Sequence, residues 1–380
     1  MRYNLITTDA DQLEIAETKQ SNAEGRINGD YMKVLHLLQS NRFSGAENVA
    51  CQIIHMMGRE ADYEMVYCSP DGQIREALAE RNVMFAPINK MSVSEVKRVL
   101  REQKPDVIHA HDMGASFFAA LACGKTPLIS HIHNNNFDSQ KPTLKAILYR
   151  CAASKAKHIF WVSRAAQDGY FFSKGLRKKS SVLYNVIDTQ QLRQKAAEAA
   201  CKTAYDVVYL GRLTYPKNPQ KLLSVLEKVI AQKPDTKVAI VGSGELEEEV
   251  RQIVAEKNMQ NNVDLLGFMS NPYGILQNAK VMLMTSRWEG LPMCALEAMA
   301  LGVPIISTPT DGVRELVEDG KDGYLTDDDE VLIEKVLQLV GDATLQKRMA
   351  QAAHEKSETV NNMEQYSSQL IRQYLGDKRK

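Results

Sequence analysis

Glu289 and Glu297 stand eight residues apart in the run Ser286-Arg287-Trp288-Glu289-Gly290-Leu291-Pro292-Met293-Cys294-Ala295-Leu296-Glu297. Val281-Met282-Leu283-Met284 just before it reads as a buried strand. Pro292 suits the first position of a following helix, where its missing N–H costs nothing, and Leu296, Met299 and Ala300 recur at helical spacing. Strand, glycine turn and helix start together present free backbone N–H groups, a ready seat for a phosphate. A carboxylate is a poor partner for phosphate but a good acceptor for sugar hydroxyls. Both features together point to a ligand with both parts, a nucleotide-diphosphate sugar.

Other strand ends carry further chemistry. After Asp206–Leu210 comes Gly211-Arg212-Leu213-Thr214-Tyr215-Pro216-Lys217, an Arg and a Lys placed to clamp phosphate oxygens, the Arg bidentately and the Lys as a point charge. Val238–Val241 leads into Gly242-Ser243-Gly244-Glu245, and Val263–Leu266 into Gly267-Phe268-Met269-Ser270. Phe43-Ser44-Gly45-Ala46-Glu47 follows the first strand, where Gly45 reads either as an approach for a diphosphate or as a plain turn with positive φ. His109 with His111, and His131 with His133, pair at spacing two on one face of a strand. No carboxylate or Cys cluster accompanies either pair, so no metal site is expected.

These residues need elements to position them. Val34–Leu38, Met65–Cys68, Val107–His109, Leu128–Ile132 and His158–Val162 read as one series of strands. Asp206–Leu210, Val238–Val241, Val263–Leu266, Val281–Met284 and Val303–Ser307 read as a second. Apolar runs separated by helical patterning, such as Ser94–Gln103, argue for parallel βαβ units and an α/β fold of two Rossmann-like domains. The expected division is a polar extension over 1–31, a first domain over 32–195 and a second over 196–362. A last helix near 363–378 packs back on the first domain, and Gln190–Thr203 serves as linker. Asp9-Ala10-Asp11 in the extension has neither a buried strand nor a domain around it and is not assigned a metal.

The 47 basic and 47 acidic residues balance, so the chain as a whole gives no sign of a nucleic-acid partner. Locally the balance breaks: Lys141–Lys179 holds ten Lys/Arg against one acid, Asp168. Leu144, Ile147, Leu148, Cys151 and Ala152 form an apolar stripe there, and Phe171-Phe172 lies beside more cations. An anionic membrane surface or a lipid-diphosphate acceptor suits this stretch, and so does an ordinary solvated helix. Six cysteines without a CxxC pair, no run long enough to span a bilayer and no apolar leader are consistent with a cytoplasmic protein, at or near the inner membrane face.

Glu289-x7-Glu297 with Gly290-Leu291-Pro292 between, continued by Gly302-Val303-Pro304-Ile305-Ile306-Ser307 and Gly320–Leu325, resembles the signature of family 4 (group 1) retaining glycosyltransferases. The likeness covers about residues 32–375, densely in the second domain and thinly in the first. It implies the GT-B fold, with two Rossmann-like domains facing each other across a cleft. It also implies transfer of a sugar from a nucleotide-diphosphate donor, UDP-linked by expectation, to a hydroxyl of a glycan or lipid-linked acceptor in capsule, exopolysaccharide or lipopolysaccharide-type assembly. The family pattern places Arg212 and Lys217 on the diphosphate, Glu297 on the ribose and Glu289 on the transferred sugar. Gly290, Leu291, Pro292, Gly45, Gly244 and Phe268 fall at donor-binding positions. Ser44 replaces one glycine of the family's usual pair near Gly45. His133 aligns with the histidine that contacts the sugar, with His111 and Asn134 on the acceptor side. No metal or other cofactor is implied. Front-face attack is favoured over a covalent intermediate at Glu289. A sugar-nucleotide epimerase of the same architecture, and a nucleotide-sugar-binding protein without catalysis, are the alternatives.

Overall fold

The computed structural model describes residues 31–58, 62–133, 139–199 and 203–375. The polar extension with Asp9 and Asp11, and the candidate Asn134, lie outside the described residues. β1 (Met32–Leu37), β2 (Tyr63–Cys68), β3 (Val107–His111), β4 (Leu128–Ile132), β5 (His158–Trp161) and β6 (Ser180–Val182) form a parallel sheet in the order β2-β1-β3-β4-β5-β6. β7 (Tyr205–Leu210), β8 (Val238–Val241), β9 (Val263–Gly267), β10 (Ala279–Met284), β11 (Ile305–Ser307) and β12 (Gly323–Leu325) form a second, ordered β12-β11-β10-β7-β8-β9. Every residue of β3, β4, β8 and β11 is buried, because helices cover both faces of each sheet. The two-sheet α/β architecture read from the sequence is thus present.

Strand order reverses between β1 and β3 in one sheet and between β7 and β10 in the other. Ligands of such sheets bind beyond the carboxyl ends of the strands at those reversals. The loops that matter are therefore those after β1, β3, β7 and β10. An apolar core runs without interruption from Val34 and Ile129 in the first sheet through Leu291 to Met282 and Met284 in the second. Polar bonds join the halves as well. Glu315 accepts from the Ala165 N–H at 2.8 Å and the Tyr184 hydroxyl at 2.7 Å, and Asn185 Nδ2 donates to the Leu291 carbonyl at 2.9 Å.

Two expectations need correction. β6 and β12, short edge strands of three residues, were not anticipated because neither carries an apolar run. The supposed linker is mostly the helix Thr189–Glu198, capped by Asp188 and seated on Leu192 and Ala196. The stripe of helix Leu144–Lys155, for which a membrane surface or plain solvent was expected, is open over most of its length. Leu144 is 72% exposed, and Ile147 and Leu148 are also open to solvent, while Ala146, Tyr149, Ala152 and Ala153 make the buried side. The C-terminal helix Met363–Leu375 lies against the first sheet, where the Tyr374 hydroxyl meets His109 Nδ1 at 2.7 Å.

Candidate active site

The loop after β10 is built around Glu289, which is buried. Its Oε1 accepts from Ser286 Oγ at 2.6 Å and pairs with Lys217 Nζ at 2.5 Å. Lys217 reaches it from the loop after β7. The two loops are stitched together: Arg287 N donates to the Pro216 carbonyl at 2.7 Å, Arg287 Nη2 to Asn218 Oδ1 at 2.8 Å, and Thr285 Oγ1 to the Asn218 carbonyl at 3.0 Å. Asn218 holds a left-handed φ of 53°, which lets the chain turn sharply before Pro219 starts the next helix. Burial pulls the Lys217 ammonium down, but the Glu289 carboxylate outweighs it and the net shift is upward. Lys217 therefore stays charged.

Arg212 lies at the same strand end with an exposed side chain. No ion pair to it is found among the described residues, yet its charge is felt by Lys217 on its own domain and by Glu47 on the other. A guanidinium held between two domains, next to an ammonium, is a seat for a multiply charged anion. Gly242 and Gly244 allow the neighbouring loop to come close. A Cβ at Gly242 would lie 1.9 Å from the Gly211 carbonyl oxygen, and one at Gly244 would lie 2.2 Å from that of Leu213. Phe268, 63% exposed, follows Gly267 at the end of β9.

Helix Met293–Ala300 starts one residue later than expected, with Pro292 as its cap rather than its first residue. Leu291 is buried in the core beneath the turn. Glu297 sits inside this helix and is 6% exposed. Its Oε1 accepts from the Tyr273 hydroxyl at 3.0 Å. Burial raises its carboxyl to about 7, against smaller opposing effects of Tyr273 and Lys195. Gly290 brings the donor turn against the first domain: a Cβ there would lie 1.9 Å from the His133 carbonyl oxygen. Sequence reading thus brought Glu289, Glu297, Arg212, Lys217 and Gly290 to one place, and His133 lies directly across from them.

The first domain holds more than was read from it. Gly45 does not have positive φ, and a Cβ there would meet nothing, so neither turn strain nor packing requires glycine. Glu47, two residues on, is buried and accepts from Ser44 Oγ, and burial raises its carboxyl. Asp112, directly after β3, has φ 66° and accepts from the His133 N–H at 2.9 Å. Burial lifts it to about 6, opposed by the His133 N–H and by Lys145. The signal for Glu47 was present: it occupies the buried stripe of helix Gly45–Gly58 together with Ala50, Cys51 and Ile54. An acid on a stripe that faces the core is a buried acid.

His111 sits behind His133 and not on the acceptor surface, since it is 2% exposed and both its ring nitrogens bond to other histidines. Two histidine triads, His36/His109/His111 and His111/His131/His133, come within ligand reach of a cation. Both draw on His111, so a cation there has to displace at least one of its two hydrogen bonds.

This arrangement defines a two-domain transferase scaffold: facing parallel sheets, a cation pair at one reversal and buried carboxylates around a helix start. Comparison with known proteins names the family. The profile for glycosyl transferases group 1 matches residues 190–356, and that for glycosyltransferase family 4 matches residues 43–191. The chain belongs to the group 1, family 4-type glycosyltransferases. An uncharacterised glycosyltransferase of Methanocaldococcus jannaschii is 28% identical over 59% of this chain, a match spanning 60% of that protein's length. The Escherichia coli UDP-Gal:alpha-D-GlcNAc-diphosphoundecaprenol alpha-1,3-galactosyltransferase is 24% identical over 77% of this chain and 84% of its own. Among solved structures, Anabaena HepE in complex with UDP and glucose superposes with a TM-score of 0.77 at 21% identity, covering 90% of this chain and 99% of that one. Staphylococcus aureus TarM gives 0.74 at 15% identity over 90% and 98%. These likenesses establish the GT-B fold.

Proposed function

We propose that this glycosyltransferase moves a sugar, with retention of anomeric configuration, from a UDP-linked donor to a hydroxyl of a glycan or lipid-linked acceptor in surface-polysaccharide assembly. The observation that carries the reading is the Lys217–Glu289 pair beside Arg212, which has no ion pair among the described residues, and buried Glu297, at the carboxyl ends of β7 and β10. Arg212 and Lys217 take the diphosphate, and the start of helix Met293–Ala300 adds its partial positive charge. Glu297 accepts from the ribose hydroxyls. Glu289 exchanges its bond to Lys217 for bonds to hydroxyls of the transferred sugar. The relatives support the donor and acceptor classes, since they include a UDP-galactose transferase acting on a diphosphoundecaprenol-linked sugar and a capsular polysaccharide glycosyltransferase of Staphylococcus aureus.

The charge developing on the leaving diphosphate is offset by Arg212, Lys217 and the helix start, so turnover needs no divalent metal. Retention proceeds by front-face attack, because Glu289 is committed to the sugar hydroxyls and not to the anomeric carbon. The leaving diphosphate helps to take the acceptor proton, and His133 positions the sugar.

The acceptor is met at a membrane surface. The Lys145 charge lowers the Asp112 carboxyl, which supports reading the exposed ridge of Leu144, Ile147 and Leu148 as flanking the acceptor side of the cleft. Among the described residues no helix is long and apolar enough to cross a membrane. The proposed attachment is through the apolar side chains of this ridge and its flanking lysines. Incubation with UDP-glucose, UDP-galactose and their N-acetyl forms, with and without polyprenyl-diphosphate-linked sugars, tests the reading. UDP release that depends on acceptor, with an α-linked product by NMR and no effect of a chelator, is expected. An inverted anomer, or an epimerised donor without transfer, overturns it.

A further inference from the structure

Four of the strand positions at the first reversal are histidines, and register brings them together. His36 on β1 lies opposite His109 on β3, and His111 on β3 lies opposite His131 on β4. His133 follows β4 immediately. Among these five rings, three are joined by hydrogen bonds. His36 Nδ1 is 3.0 Å from His111 Nε2, and His111 Nδ1 is 2.8 Å from His133 Nε2. The ring centroids are 5.3 Å and 5.1 Å apart with interplanar angles of 27° and 11°. Centroids that far apart, in near-parallel planes, with nitrogens at hydrogen-bond distance, mean that the rings meet edge to edge. His109 stands outside the chain, bonded to Tyr374.

Burial depresses all three rings strongly, and His36 and His133 fall to about 3. At neutral pH each is uncharged and carries one proton. Every nitrogen–nitrogen bond needs one proton, and His111 takes part in two. The three tautomers are therefore tied, and only two arrangements exist. Either every ring is protonated at Nδ1 or every ring is protonated at Nε2.

The ends decide between them. His36 Nε2 and His133 Nδ1 are both buried and have no partner among the described residues. With protons on Nε2, His36 strands an N–H inside the sheet, where it is 0% exposed. With protons on Nδ1, it leaves only a bare lone pair there. Each arrangement leaves one N–H without a partner among the described residues, at His36 Nε2 or at His133 Nδ1. A donor stranded inside the sheet at His36 has no way to find an acceptor, whereas His133 is only half-buried and lies against the Gly290 turn, where a bound sugar oxygen can take the proton. We propose that His36 and His111 are positioning residues that hold His133 as its Nδ1–H tautomer, so that its free end donates a hydrogen bond to an oxygen of the transferred sugar. This role rests on the reading in which His133 contacts that sugar. An isolated neutral histidine prefers the Nε2–H form, so without the chain His133 presents a lone pair at this end instead of a proton.

The test uses full-length protein with 15N-labelled histidine rings, in which two-bond proton–nitrogen correlations read each tautomer. In the wild type, His133 is expected in the Nδ1–H pattern. His111→Phe keeps a ring but removes both bonds, and should convert His133 to Nε2–H and lower kcat at least tenfold with little change in donor KM. His111→Asn, whose amide can donate to His133 Nε2 from nearly the place of Nδ1, should restore the tautomer and part of kcat. An Nε2–H pattern in the wild type overturns the proposal, and that readout needs no variant to fold. An unchanged tautomer in His111→Phe overturns it as well. Full activity in His133→Ala removes instead the catalytic reading of His133, and the tautomer measurement distinguishes the two failures.

Discussion

Donor binding should be coupled to loss of a proton from Glu297. Buried without a cation in hydrogen-bond contact, this carboxyl is raised from 4.5 to about 7, with burial the largest cause. The ribose hydroxyls of a nucleotide are donors, and each bond to a charged acceptor contributes about 1.5–3 kcal/mol. At pH 6, ionising a group of pKa about 7 costs about 1.4 kcal/mol. Two such bonds outweigh that, so the complex holds the carboxylate and binding expels the proton. If only the ionised form binds, affinity rises roughly tenfold between pH 6 and pH 8 and levels off above, and about 0.9 proton is released per donor bound at pH 6.

Calorimetry with UDP-glucose in buffers of different ionisation enthalpy counts that proton directly. The intact nucleotide sugar has no group of its own that titrates in this range. Glu297→Gln retains the acceptor for Tyr273 but cannot ionise, so it should bind weakly and without pH dependence. Asp112, at about 6, and Glu47, also raised by burial, are the other groups in the cleft to control for, and their contributions survive in Glu297→Gln. Stability gives an independent sign. A folded-state carboxyl above its unfolded value loses stability as pH rises from 4.5 to about 7, by about 3 kcal/mol in all, with no further loss above. Glu297→Gln should therefore gain thermal stability over the wild type above pH 7 and none near pH 4. PH-independent affinity in the wild type, with no proton released, would refute the burial argument and the ribose assignment together.

Other perturbations probe the remaining contacts. Glu289→Gln removes the charge that pairs with Lys217 and should lower turnover at least tenfold; wild-type rates would sink the sugar-contact assignment. Gly290→Ala drives a methyl into the His133 carbonyl, and overpacking of this kind costs about 1–3 kcal/mol, so both the melting temperature and activity should fall. At the membrane, Arg177 pairs with Asp168 and Lys179 donates to the Ser154 and Ala156 carbonyls, so neutralising these two should matter little. Glu substitutions at Lys141, Lys145, Lys174 and Lys178 should abolish flotation with anionic vesicles, at roughly 1 kcal/mol for each cation lost, while activity on a soluble acceptor persists. Unchanged flotation would leave the ridge as ordinary solvated surface.

What the sequence made legible follows from where each interaction lies along the chain. Glu289, Gly290 and Glu297 share one turn and one helix start, and Arg212 and Lys217 share one loop, so spacing alone exposed them. Ten strands were legible because buried parallel strands are continuous apolar runs, and β6 and β12 were not because edge strands need none. Burial is the property that pattern left open in two places. Leu144, Ile147 and Leu148 make a helical stripe that faces solvent, and Glu47 makes a polar break in a stripe that faces the core. Periodicity tells which residues share a face but not which face is covered. That is settled by neighbours distant in sequence.

The histidines show the same limit from the other side. Spacing of two put His109 with His111 and His131 with His133, but the hydrogen-bonded chain runs between these pairs and begins at His36, which no pattern singled out. Register supplied the missing step: β1 against β3 and β3 against β4 convert three local observations into one row. The same row explains why a lone ring such as His111, 2% exposed, is no candidate for acceptor contact and still bears on the site. Its effect reaches the cleft only through the proton it directs to His133. The donor half of the candidate site could be read from side-chain types, because its groups lie together in two short stretches of chain. The acceptor half could not, because part of its chemistry lies in how one ring orders the next.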